Sequence, residues 1–164
     1  MWVRMSPADR TYLLERRTTE MTFSDLHRTC REALESGKIG SPVALCLHVQ
    51  LADVGADLQT CVGALIEFAA KLFESDAARL MARGDLRQCS LLVSFGGGET
   101  LQVNAGCGSA SATRLQMLLI GNGGTLQLEG GECFDESELP ADWSVKDWNQ
   151  PIRESLQSHD AVQL

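Results

Sequence analysis

The run RLQMLLIGNGGTLQLE, residues 114–129, constrains the fold more than any other stretch of the chain. Leu115, Met117 and Leu119 alternate with Arg114, Gln116 and Leu118. Leu126 and Leu128 then resume the alternation against Gln127 and Glu129. Successive side chains of a strand point to opposite faces, so period-two patterning marks strands with one apolar face. Between the two runs, Gly121-Asn122-Gly123-Gly124 offers the residues that turn a chain tightly. The segment predicts a β-hairpin.

The rest of the chain divides into helices first and strands later. Residues 1–22 are polar and carry Arg4, Arg10, Arg16 and Arg17; they read as an arm or a short element ahead of a domain at 23–164. Ser24 is placed to cap a helix bearing Leu26, Cys30, Ala33 and Leu34 at helical spacing, with Gly37 closing it. Val43 to Leu51 is a strand rich in apolar residues. Leu58, Cys61, Val62, Leu65, Phe68, Ala69, Leu72 and Phe73 mark the strongest amphipathic helix. Asp57 stands ahead of it as a candidate N-cap, and Gln59, Thr60, Glu67 and Lys71 fill the rest of its circumference.

Beyond residue 78 the pattern is β-rich. Strands are expected at Cys89 to Phe95 and Glu99 to Ala105 around a turn at Gly96 to Gly98, then the hairpin, then a short strand through Cys133 and Phe134. Arg79, Arg83 and Arg87 recur at helical spacing, which would make a basic stripe on a short helix or a solvated face. Trp143 and Trp148 read as anchors in an acidic, irregular stretch, and Pro151, Ile152 and Leu156 suit a short closing helix. This order predicts an α+β fold: an open, largely antiparallel sheet with helices on one face and the other face free for a partner.

Composition excludes several classes. A single domain fits 164 residues. Chains of this size bury roughly 70% of their unfolded surface, so no metal or disulfide staple is needed. The net charge of −8 argues against sequence-independent nucleic-acid binding, because phosphates call for a basic surface. No apolar run reaches the ~20 residues that span a bilayer, and no secretory leader stands at the start, so a cytoplasmic protein is expected. The six cysteines form no CxxC pair and read as buried, reduced thiols. His27, His48 and His159 stand at no metal-ligand spacing, and no metal site is expected.

Several motifs in order resemble the C-terminal domain of the Gfo/Idh/MocA oxidoreductases. HRTCREALESGKIGSPVALCLHV is similar to that domain's opening helix, its "SGxIG-x-P" turn and its first strand. SLLVSFGGGETLQVNAG resembles its paired strands, GNGGTLQLEGGE its "GxxGTLxLxG" hairpin, and IRESLQSHDAVQL its closing helix and "PVxL" end. The resemblance implies an open sheet whose uncovered face mediates oligomerisation, here a homodimer.

Two departures bear on activity. Family enzymes begin with a Rossmann domain whose GxGxxG loop cradles the dinucleotide, and these 164 residues hold no such loop. The glycine clusters at 96–98 and 121–124 are expected to be hairpin turns. The family's next helix resembles "GGxLLDxGxHxxDLxxWLFG", with an Asp and a His that face substrate and move protons. Here GADLQTCVGALIEFAAKLFES puts Thr60 at the Asp position, Ala64 at the His position and Glu67 at the second acidic one. Alanine carries no proton, and threonine is no base at neutral pH.

The expected function is a stand-alone oligomerisation or small-ligand-binding domain with no catalytic residues and no cofactor of its own. His48, Asp57, Thr60 and Glu67 are its candidate ligand-binding residues. The alternative is the substrate-binding half of a split or truncated NAD(P)-dependent sugar or polyol oxidoreductase, where a partner Rossmann chain supplies the cofactor. A third possibility is an unrelated α+β binding domain.

Overall fold

The structure, a computed structural model, describes residues 16–18, 23–52, 58–108, 113–131 and 146–164. Asp57, Cys133, Phe134 and Trp143 lie outside the described residues. In chain order the elements are β1 (Arg16–Thr18), α1 (Phe23–Glu35), β2 (Pro42–Leu51), α2 (Leu58–Phe73), β3 (Ala77–Gly84), β4 (Gln88–Phe95), β5 (Thr100–Cys107), β6 (Arg114–Gly121), β7 (Thr125–Gly131), α3 (Asn149–Ser158) and β8 (Val162–Gln163).

The strands form one sheet in the order β1-β7-β6-β2-β5-β4-β3-β8. Five neighbouring pairs are antiparallel, whereas β2–β5 and β1–β7 are parallel. The parallel central pair follows from α2. That helix carries the chain away from β2, and β3-β4-β5 then meander back to pair on β2 from the far side. The α+β, largely antiparallel reading of the sequence holds.

The hairpin alternation is observed as expected. Leu115, Met117, Leu119, Leu126 and Leu128 are all buried on the helix-covered face. Leu45, Leu47 and Val49 of β2 and Leu101, Val103 and Ala105 of β5 join them in one core. Helix α1 contributes Leu26 and Cys30, and α2 contributes Val62, Leu65, Phe68 and Leu72. Ser24 lies inside the first turn of α1 rather than at its cap. Gly37 ends that helix with φ +70°, and its N–H donates to Leu34 O at 3.0 Å.

Two turns far apart in sequence lock together. Asn122 N–H donates to Ser41 O at 3.0 Å, and Gly123 N–H donates to Ile39 O at 3.0 Å. Ser41 N–H donates in return to Asn122 Oδ1 at 3.0 Å. A Cβ on Gly121 would stand 2.0 Å from Ile39 O, and one on Gly40 would stand 2.0 Å from Asn122 Oδ1. The glycines of the SGKIG and GNGG segments are thus needed for close backbone approach, not for holding a phosphate.

Arg79 and Arg83 lie on strand β3 and Arg87 in the turn after it, so no helix carries them. Both strand arginines are exposed, as a solvated face requires. A spacing of four fits a helix turn and also returns to the same face of a strand, which is why periodicity misled here.

The tail completes the far edge. Ala82 N–H donates to Ser155 Oγ at 2.8 Å, and the same hydroxyl donates to Asp160 O at 2.6 Å. Beyond α3, β8 pairs with β3 and Leu164 N–H donates to Ala78 O at 3.0 Å.

Candidate functional site

Helix α2 carries the positions that could do chemistry. Thr60, Ala64 and Glu67 stand at i, i+4 and i+7 and so share one face. The sequence places this side of the helix toward the outside, yet Gln59, Ala64 and Glu67 are buried. The reason is residues 146–148, which cross the helix. Trp148 is 4% exposed, and its Cβ lies 3.3 Å from where a Cβ on Gly63 would be. Only a glycine lets the indole approach this closely.

Glu67 is the anchor of that crossing. Trp148 Nε1–H donates to Glu67 Oε1 at 2.7 Å, and Lys146 N–H donates to the same oxygen at 3.4 Å. Lys146 Nζ sits 4.9 Å over the indole ring, a favourable cation–π placement. A carboxylate that satisfies a buried indole N–H is fixed in position and in role. One turn earlier, Gln59 Oε1 accepts from Arg153 Nε at 3.0 Å, tying α2 to α3.

His48 is elsewhere. It is exposed on the opposite face of the sheet, in register with Asn104 of β5 and Gln116 of β6. The structure therefore groups Thr60, Ala64 and Glu67 on α2 and places His48 across the sheet from them. Among the described residues, no cluster of three or more His, Cys, Asp or Glu side chains could hold a metal ion. No helix among them is long and apolar enough to cross a membrane.

The thiols follow their surroundings. Burial pushes the Cys30 thiol up to about 12, and its S–H points at Met117 Sδ 3.7 Å away. Cys61 and Cys89 are also buried, whereas Cys46 and Cys107 are only half-buried. Cys46 lies on the open face. His27 packs edge-on against Phe68 with ring centroids 5.7 Å apart, and burial, then nearby Arg31, lowers its pKa from 6.5. A crevice of about 10 Å³ between α2, α3 and the β3–β4 turn has room for about one water.

The open face is the larger feature. Register defines rows of side chains running across it. One row reads Arg83, Ser90, Asn104, His48, Gln116 and Glu129 from β3 to β7. The next reads Met81, Leu92, Gln102, Cys46, Leu118 and Gln127. Leu92 is 46% exposed, an apolar residue in a polar setting. Sequence reasoning singled out only His48 here. Alternation in β4 carried the signal for Leu92, since the inward Leu91 forces its neighbour outward.

An open, mostly antiparallel sheet with helices on one face defines the class: the chain has the fold of the C-terminal domain of Gfo/Idh/MocA-type dehydrogenases. A probable dehydrogenase from Thermotoga maritima superposes with a TM-score of 0.67 at 12% identity, over 86% of this chain and 62% of that one. Scyllo-inositol dehydrogenase from Lactobacillus casei, with bound NAD(H) and scyllo-inositol, gives 0.67 at 13% identity over the same shares. A myo-inositol dehydrogenase from Corynebacterium glutamicum ATCC 13032 gives 0.64 at 11% identity, over 87% of this chain and 61% of that one. This chain thus spans less than two thirds of those proteins. No protein-family model matches the sequence, and no curated protein does.

Proposed function

We propose that the chain is a non-catalytic module, cytoplasmic and related in fold to NAD-dependent oxidoreductases, which assembles with a second copy through its open sheet face. The carrying observation is helix α2. Its proton-transfer positions hold Thr60 and Ala64, and the carboxylate of Glu67 is engaged by Trp148. Hydride transfer to or from a polyol needs a proton acceptor within reach of the hydroxyl, and neither of the first two side chains can be one. A small ligand on this module would meet Thr60 or, on the other face, His48. Titration of the purified chain with NADH or NADPH tests the reading: no change in cofactor fluorescence is expected, and micromolar binding would overturn it.

A second reading has its own support. The match spans only 62% of the Thermotoga maritima chain, which suits the substrate half of a sugar or polyol oxidoreductase completed by a separate Rossmann chain. Dehydrogenase activity that emerges only when such a chain is added would establish it. Thr60 and Ala64 weigh against it.

A further inference from the structure

Given the assembly proposed above, on which this step rests, we infer that two copies stack face to face about a two-fold axis running along the strands, midway between β2 and β5, so that Arg83 of each meets Glu129 of the other. The eight strands split evenly about that line, four on each side. A rotation about it leaves each row of side chains in place but reverses its direction. Strand β3 then lies over β7 of the second copy, β4 over β6, and β5 over β2.

Charge selects this axis. Arg83 and Glu129 end the same row, about 24 Å apart at five strand spacings. Both are exposed, and among the described residues neither belongs to an ion pair. Reversal brings Arg83 onto Glu129 twice, once at each end. In the next row, Leu92 meets Leu118, so the exposed apolar side chain finds an apolar partner. His48 meets Asn104, two groups that can hydrogen-bond. Arg114, one row further on, meets Gln88 and no second cation. A two-fold laid across the strands would instead put Arg83 over Arg79 of the second copy and leave both Glu129 side chains without a cation. Like charges brought together at an interface cost several kcal/mol, so the two arrangements are not equivalent.

The size fits. Six strands by three or four rows cover about 600 Å² of each copy. The total of about 1,200 Å² is at the lower end of specific, stable interfaces. Aligned sheets pack about 30° apart, which offsets the row ends by about 6 Å, a distance that a long arginine side chain can span.

The test is sedimentation of the full chain with charge variants and a cysteine pair. The wild type is expected to be a dimer. Arg83→Glu and Glu129→Arg should each weaken it about tenfold or more, and the double variant should restore it. In a Cys46→Ser background, Leu92→Cys with Leu118→Cys should give a disulfide-linked dimer under mild oxidation, whereas Leu92→Cys alone should not. Within one chain those positions are about 14 Å apart, beyond disulfide reach. Circular dichroism confirms that each variant is folded. A dimer that ignores the charge swap, or that crosslinks through Leu92→Cys alone, overturns this pairing while leaving the module reading intact. A monomeric wild type overturns both the pairing and the assembly on which it rests.

Discussion

Leu91 and Leu92 are neighbours in one strand, yet one is 2% exposed and the other 46%. They stand for the two faces of the sheet. Leu91 belongs to a continuous apolar layer under three helices, where every position is filled. Leu92 lies among Gln, Ser, Asn and Arg side chains, held in rows by the same backbone register. The covered face determines which fold the chain adopts; the open face is free to determine what the fold meets. Helix α2 belongs wholly to the first category, because Trp148 and Glu67 close its outer side as well.

The largest effects are expected where the covered side allows no adjustment. Gly121→Ala drives a Cβ into the carbonyl of Ile39, a backbone atom. A loss of about 3 kcal/mol or more, read from urea unfolding, is expected. Leu91→Ala should cost about 2–4 kcal/mol by the same measurement, and Leu92→Ala about 0.5 kcal/mol or less in the isolated fold. Equal costs would break the comparison between the faces. Glu67→Leu should cost about 1–2 kcal/mol, because the Trp148 indole N–H would stay buried without its acceptor. A neutral result would mean that residues 146–148 do not close α2.

The smallest effect is a pH dependence. The folded pKa of His27 is below 6.5, so the unfolded chain takes up that proton first. Its contribution to stability is complete above pH 6.5 and shrinks as pH falls toward the folded value. The melting temperature should therefore drop between about pH 7.5 and about pH 5.5, and His27→Leu should flatten that drop. An unchanged slope in the variant would place the pH dependence elsewhere.

Local pattern carried most of the fold. Period-two alternation located β6 and β7 because each inward leucine has an outward polar neighbour. Helical spacing located α2 because its apolar face is wide. What local pattern could not carry was partnership across the chain. Nothing near Glu67 announces Trp148, 81 residues away. Nothing near Gly121 announces that Ile39 O will occupy the place of its side chain. Arg79 and Arg83 matched a helix and a strand equally. The open face was legible as an absence of cover, but its rows needed the register of β2 between β5 and β6, which a parallel pairing sets. His48 and Glu67 were grouped from their order in the chain, and the sheet separates them.

The central claim is a module that pairs with itself and holds no nicotinamide cofactor. One sample tests it: the solution mass of the purified chain, measured during titration with NADH. A mass near twice 17.8 kDa with no cofactor bound is the expected result. A chain of 17.8 kDa, or one that takes up NADH at micromolar concentration, would contradict it.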